Sequence, residues 1–260
     1  MNQLLKKITN MNYERISKKI AIFLKNELKS SGLGGYVFGL SGGLDSSVVA
    51  SLLSRAASEK TLALVMPSKA TPQHDVNDAT DLAKKLNIQF RIIDLTDIHS
   101  SILRELPFDK MASGNLLARM RMAMLYYYAN QRNSLVVGTS DRSELLIGYF
   151  TKYGDGGADI LPIASLYKTQ VRALGNYLKL PNTILTKKSG PMLWENHTAE
   201  EEIGMSYEEI DGMLYCLSDL KLSPKSAAKR LSITLEKVEK IRQMQIKSAH
   251  KRSLPKICKL

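Results

Sequence analysis

The 260 residues carry 37 Lys and Arg against 25 Asp and Glu, a formal charge of +12, with 44% hydrophobic and 24% charged residues. This is ordinary for a soluble globular chain of one large domain, or of one domain with a small appendage. No apolar run approaches the ~20 residues of a membrane span, Met1 to Asn12 is polar and basic with no signal-peptide core, and Cys216 and Cys258 form neither a CxxC pair nor metal-ligand spacing. A reducing cytoplasm is the expected setting. The positive excess points to a polyanion, either nucleic acid or small phosphorylated substrates. Much of it falls between Lys221 and Lys259, where a solvated face accounts for it equally well.

Apolar residues at Ile16, Ile20, Phe23, Leu24 and Leu28 predict a helix over 13–28. Residues 36–40 read as a buried strand and 44–57 as a helix. A second strand is expected at 61–66, ending at Pro67, and a helix over 72–86 with proline in its first turn. A third strand (90–95), a short helix (97–103) capped by Asp97, a long helix (115–130) and a fourth strand (135–138) follow. A short fifth strand is expected at 160–163, then helices at 168–179, 207–217, 224–231 and 234–248. The alternation predicts an α/β fold, a doubly wound parallel five-stranded sheet flanked by helices, with a helical C-terminal part. Ligands then lie at the carboxyl ends of the strands. Long loops at 105–113, 149–159 and 186–200 are candidate lids.

The stretch Ser41-Gly42-Gly43-Leu44-Asp45-Ser46-Ser47 joins the first strand to its helix. Glycines let backbone N–H groups approach a phosphate, and a helix N-terminus adds partial positive charge. Asp45 sits inside that cradle. A carboxylate beside a phosphate repels it unless a cation lies between them, which implies a magnesium ion. No Gly-Lys-Ser/Thr ending occurs, so this is not a Walker A loop. Thr139 to Glu144 also follows a strand and would face the same crevice. There Thr139 is placed to meet the remainder of a phosphorylated ligand, and Glu144 to share the metal with Asp45.

The SGGLDSS loop resembles that of the ATP pyrophosphatases, the adenine nucleotide alpha-hydrolase-like enzymes that cut ATP between the α- and β-phosphates and place AMP on a carboxylate or carbonyl. The stretch GTSDRSELLIGYFTKYGDGGADILPIASLYKTQVR resembles the central signature of the ammonia-dependent NAD synthetases. MPSKATPQHDVNDATDLAKKL, GNLLARMRMAMLYYYAN and SAHKRSLP agree in order and spacing, and the likeness runs from about residue 14 to 255.

That resemblance implies one NAD synthetase domain over 1–260, with an ATP pyrophosphatase core at 14–180 and the helical part at 200–255. It implies a ligase that adenylates the nicotinate carboxylate of deamido-NAD, lets ammonia displace AMP, and releases pyrophosphate. Carried over by position, Gly39, Leu40, Ser41, Gly42, Gly43, Leu44, Asp45, Ser46, Thr139 and Lys168 would contact ATP. Asp45 and Glu144 would hold magnesium. Asn115, Arg119, Lys152, Asp159, His250 and Lys251 would contact deamido-NAD. Asp155 would act beside the carboxylate being amidated, making Asp155 and Asp45 the catalytic pair. A homodimer with the dinucleotide at its interface is implied, with no nucleic-acid or membrane partner.

Two stretches depart from the family pattern. Lys188 to Trp194 differs from the usual phosphate-side loop, leaving Ser189 as the expected hydroxyl toward ATP. Ala199 to Gly204 lacks the first acid of the family's DExELG, so any role of that acid is dispensable or filled by Glu200. Glutamine-dependent members carry a further amidohydrolase domain of similar size, for which 260 residues leave no room, so free ammonia, or ammonia from a separate protein, is the expected donor. Other ATP pyrophosphatases, such as a GMP synthetase subunit or a tRNA-modifying enzyme, share the SGGLDSS loop, but YGDGGAD favours NAD synthetase. A thiolating enzyme would show paired cysteines. Ser223 to Arg242 resembles a basic helix-turn-helix, which would suit DNA. Under the family reading it is a helical cap that delivers His250 and Lys251.

Overall fold

The structure is a computed structural model that describes residues 2–188, 190, 194 and 198–258. In chain order, α1 (Asn2–Thr9) and α2 (Tyr13–Ser31) precede β1 (Gly35–Gly39), and α3 (Leu44–Ala57) leads to β2 (Thr61–Val65). Then follow α4 (Gln73–Lys85), β3 (Gln89–Ile92), α5 (Thr96–Arg104), α6 (Lys110–Arg132) and β4 (Ser134–Val137). The remaining helices are α7 (Arg142–Ile147), α8 (Lys168–Tyr177), α9 (Asn182–Leu185), α10 (Ala199–Ile203), α11 (Tyr207–Leu214), α12 (Pro224–Leu231) and α13 (Leu235–Lys247). No described helix is long and apolar enough to cross a membrane.

The four strands are parallel and ordered β3-β2-β1-β4. The chain winds outward from β1 through β2 and β3, then returns to the other side of β1 for β4. Strand order therefore reverses between β1 and β4, and the loops leaving those two strands diverge around a crevice. Tyr36, Val37 and Phe38 of β1 are wholly buried, as a central parallel strand covered on both faces requires.

Helices α2, α3 and α8 pack with Tyr36, Phe38, Ala63 and Val65 on one face of the sheet. Val37, Leu62, Leu64 and Val136 pack with Leu117 and Ala129 of α6 on the other. A separate apolar cluster unites Tyr207, Ile210 and Met213 of α11 with Ala227 and Leu231 of α12 and Val238 and Ile241 of α13. Ile8, Ile147 and Tyr167 join this cluster, so α1 and the α7–α8 region bridge it to the sheet layers.

The expected fifth strand is reduced to one bridge between Val137 and Ile160. Gly138 N donates to Ile160 O at 2.9 Å, but the ladder cannot continue through Pro162, which has no N–H. Part of the expected 105–113 loop is helical instead. Asp109 caps α6 by accepting from Ala112 N at 2.6 Å and starts that helix at Lys110. The expected 207–217 helix ends in a π turn over Tyr215–Asp219.

Gly148 closes α7 at φ +72°, and a β-carbon built there would lie 2.0 Å from the Ser248 β-carbon. The helical part thus presses directly on the end of α7. Gly148→Ala is expected to destabilise the fold by more than the about 1–2 kcal/mol of the left-handed backbone alone. Adding Ser248→Gly should recover the steric share, read by chemical denaturation of the single and double variants.

Candidate active site

The loop after β1 is held in its turn before any ligand arrives. Gly42 sits at φ +77°, and a β-carbon there would lie 2.2 Å from Asp75 O, so this position accepts only glycine. Ser41 N donates to Ser46 Oγ at 3.2 Å, the two hydroxyls lie 3.0 Å apart, and Ser47 Oγ donates to Gly43 O at 2.7 Å. Gly43 is the N-cap of the 14-residue α3 and offers no side-chain acceptor to its first turn. The amides there face the crevice with the helix dipole behind them, an arrangement suited to phosphate. Lys187, just past α9, braces the same loop. Its Nζ donates to Gly42 O at 2.9 Å, Asp75 Oδ1 at 2.5 Å and Asp78 Oδ2 at 2.7 Å. Nothing in the sequence around Lys187 signalled this contact.

Beside the loop lies a buried ion cluster. Lys168, the first residue of α8, has a side chain that is 0% exposed, and its Nζ stands 2.7 Å from Asp45 Oδ2, 2.8 Å from Glu144 Oε1 and 2.9 Å from Asp141 Oδ2. The contacts to Asp45 and Glu144 are hydrogen bonds, and the one to Asp141 is an ion pair. Asp141 also opens α7 with a capping box: its Oδ1 accepts from Glu144 N at 2.8 Å, and Glu144 Oε2 accepts from Asp141 N at 3.2 Å. Loops from both sides of the strand-order reversal thereby meet on one ammonium.

Burial works against the charged forms throughout this cluster. It pushes the Asp141 carboxyl up to about 7, although Lys168 opposes the rise. It raises Glu144 well above the carboxylate range, reinforced by Asp141 and opposed by Lys168. Burial also penalises the Lys168 ammonium, but Asp141, Asp45 and Glu144 together outweigh it and hold the group well above the usual lysine range. Lys168 is therefore the resident cation of the site.

A cavity of about 900 Å³ opens above these groups. Gly39, Leu40, Ser41, Gly43, Leu44, Asp45, Ser46, Thr139 and Glu144 line it on the phosphate-loop side, and Asn115, Asp155 and Lys251 on the other. Gly42 lies behind the loop, and Lys168 lies beneath the wall. Asp155 faces the cavity but is crowded by protein. Thr151 N donates to its Oδ1 at 2.7 Å, and Thr151 Oγ1 donates to Asn115 Oδ1 at 2.7 Å. Burial raises the Asp155 carboxyl, against the Thr151 amide and the nearby charges of Lys251 and Arg121. Lys251 Nζ donates to Gly148 O and Phe150 O at 2.8 and 2.7 Å, closing the base of the loop that carries Asp155.

Several expected contacts stand outside this cavity. Arg119 is exposed on α6 and donates to Lys152 O at 3.3 Å, while Lys152 Nζ lies 5.1 Å from the Tyr153 ring. Asp159 accepts from Val136 N at 2.7 Å and Tyr126 OH at 3.0 Å, bonds that hold the edge of β4. His250 is exposed in the turn after α13. Ser189 lies outside the described residues. Glu200 accepts from Tyr207 N at 2.8 Å, linking α10 to α11. Arg121, not anticipated, lines the cavity and donates through Nε to Met66 O at 3.2 Å. Burial pushes its guanidinium down to about 10. Asp141 was also missed, although the Asp141-x-x-Glu144 capping pattern was visible in the sequence.

Lys168→Met leaves three carboxylates facing one another and is expected to cost about 3–5 kcal/mol of stability. A carboxyl whose native pKa lies above its unfolded value loses stabilisation as pH rises through that interval. With Asp141 already near 7, the loss should be larger at pH 8 than at pH 6. Denaturation curves at the two pH values check both the size and the sign.

The NAD synthase family model matches residues 16–255. The NH(3)-dependent NAD(+) synthetase of Hyperthermus butylicus is 49% identical over 96% of this chain and 92% of its own length. That of Staphylothermus marinus is 48% identical over 97% and 94%. Among solved structures, the NH3-dependent NAD synthetase of Campylobacter jejuni superposes with a TM-score of 0.83 at 33% identity, over 96% of this chain and 100% of that one. The NMN synthetase of Francisella tularensis gives 0.86 at 36%, with the same coverage. A match over nearly the whole length, on a fold that gathers the SGGLDSS loop, Glu144 and Asp155 around one cavity, places this chain in the NAD synthase family.

Proposed function

We propose that the chain catalyses the ATP-dependent amidation of deamido-NAD to NAD with ammonia, releasing AMP and pyrophosphate. The observation that carries this reading is a single cavity with a phosphate cradle on one side and the Asp155 loop on the other. ATP and an acceptor carboxylate can meet there with the α-phosphorus between them.

In the first step a nicotinate carboxylate oxygen attacks the α-phosphorus, the bond to the bridging oxygen breaks, and pyrophosphate leaves. Amides of the loop and the α3 N-terminus bind the phosphates, at about 1.5–3 kcal/mol for each charge-assisted bond. Lys168 keeps Asp45 and Glu144 aimed at the triphosphate from below. In the second step ammonia attacks the activated carbonyl carbon and the carbon–oxygen bond to AMP breaks. The surplus proton goes to Asp155, whose raised pKa makes it a better acceptor than an ordinary aspartate. Arg121 and Lys251 border the acceptor side, where a dinucleotide brings negative charge.

The donor set suits magnesium. Asp45 Oδ1 is buried without a hydrogen-bond donor, and three carboxylates face one ammonium. Asp45 and Glu144 would hold the ion, which would neutralise charge on the triphosphate and the departing pyrophosphate. Among the described residues no group of three His, Cys, Asp or Glu forms a metal cage. Phosphate oxygens and water would complete the shell, as magnesium favours.

A second copy of the chain would bring the outlying residues into use. Ile92, Ile98, Leu106, Phe108 and Tyr127, on β3, α5, the following turn and α6, are exposed, Phe108 at 95%. A homodimer formed there would place Arg119 and Lys152 at an interface with the dinucleotide. The likeness to an NMN synthetase favours one alternative acceptor, nicotinate mononucleotide, which presents the same carboxylate.

Incubation with ATP, magnesium, ammonium and each acceptor should yield NAD, AMP and pyrophosphate in equal amounts with deamido-NAD. Appearance of ADP and phosphate would overturn the assignment, and preference for the mononucleotide would transfer it. Asp45→Ala should abolish turnover even at saturating magnesium. Asp155→Asn should slow amide formation more than pyrophosphate release, and equal loss of both would remove Asp155 from the second step.

A further inference from the structure

Helix α11 carries no motif tied to the reaction, yet it supports the ion cluster from beneath. Asp211, completely buried, accepts from Ser143 Oγ at 2.5 Å through Oδ1 and from Thr169 N at 2.8 Å through Oδ2. Ser143 Oγ in turn accepts from Lys168 N at 2.9 Å. Ser143 lies between Asp141 and Glu144, and Thr169 follows Lys168. One carboxylate therefore ties together the two chain segments that supply three of the four members of the cluster. The Tyr207 ring, from the same helix, lies 5.0 Å from Lys168 Nζ.

The polarity of this network is fixed. Lys168 N–H donates to Ser143, Ser143 donates to Asp211, and Thr169 N–H donates to the second Asp211 oxygen. Only a side chain with two acceptor oxygens satisfies both donors. A packing role would not require it, since Ile210, Met213 and Leu214 beside it fill the α11 core with apolar groups.

We propose that Asp211 is a positioning residue for the ATP-cleaving step: from the helical part it locks the starts of α7 and α8 together, so that Lys168 presents Asp45 and Glu144 to the phosphates. This rests on the reading of Asp45, Glu144 and Lys168 as the ATP-side groups.

Asp211→Asn in the full chain keeps the shape but offers one acceptor oxygen to two donors, so either Ser143 Oγ or Thr169 N is left without its acceptor. Two readouts are expected: kcat for pyrophosphate release falls by about tenfold or more, and the magnesium concentration that half-saturates binding of α,β-methylene ATP, measured by calorimetry, rises by about tenfold. The KM for deamido-NAD stays within about threefold, and the thermal midpoint does not fall in proportion to the rate. Ser143→Ala cuts the same link from the other side and carries the test if the first variant does not fold. Because both act on one link, the double variant should lose little more than the worse single. Folded variants with wild-type analogue binding and kcat, or losses that multiply in the double variant, would overturn the proposal. The binding readout needs no turnover, so a wild type that releases no pyrophosphate would strike the activity assignment and leave the Asp211 test intact.

Discussion

The active region depends on one buried ammonium. Lys168 Nζ lies within hydrogen-bonding or ion-pair distance of three carboxylates drawn from two loops that are almost a hundred residues apart in sequence. Without it the acids would repel one another or take up protons, and the loops after β1 and β4 would have no reason to converge. With it, Asp45 and Glu144 are held toward one point by hydrogen bonds to a single ammonium, and the rise that burial forces on Glu144 is opposed. The same contact explains why α8 must start where it does: a shift of one residue would carry the ammonium off the cluster.

Such an arrangement is a poor source of stability. Desolvating a lysine and three acids costs more than their attraction reliably returns, and apolar side chains would pack there more favourably. The fold holds it because the surrounding elements leave little freedom. The parallel sheet fixes the crevice between β1 and β4, the Asp141–Glu144 capping box fixes α7, and Asp211 and Ser143 fix the first turn of α8. The helical part closes this frame through Gly148 against Ser248 and through Lys251 on the carbonyls of residues 148 and 150. Cradle, cluster and Asp155 loop are thus held by one connected set of contacts.

The far wall of the cavity follows the same logic in weaker form. Asp155 is fixed by an amide of its own loop, and that loop is fixed by Asn115 on α6. Two cations, Arg121 and Lys251, stand near it without taking its hydrogen bonds, which leaves its carboxylate to face the cavity. Arg119 and Lys152, expected at the dinucleotide, do not line the cavity and lie on α6 and its neighbouring loop.

The sequence by itself determined the elements and the chemistry of each loop. Alternating strands and helices, the Gly-Gly turn after β1 and the paired acids are local patterns, because backbone propensity, turn chemistry and apolar periodicity act over a few residues. It overextended the sheet at 160–163, where hydrophobicity suggests a strand but Pro162 withholds the N–H that a ladder needs. The resemblance put Lys168 among the ATP contacts, but nothing local says that its ammonium will be wholly buried against Asp45, Asp141 and Glu144. Arg119 and Arg121 are two residues apart, which on a helix is about 200° of rotation, so one faces the cavity and the other does not. Only the packing of α6 on the sheet chooses between them. The tertiary structure decided the matters that depend on long-range contact: which acid joins the cluster, which cation is buried, and which distant carboxylate holds them in register.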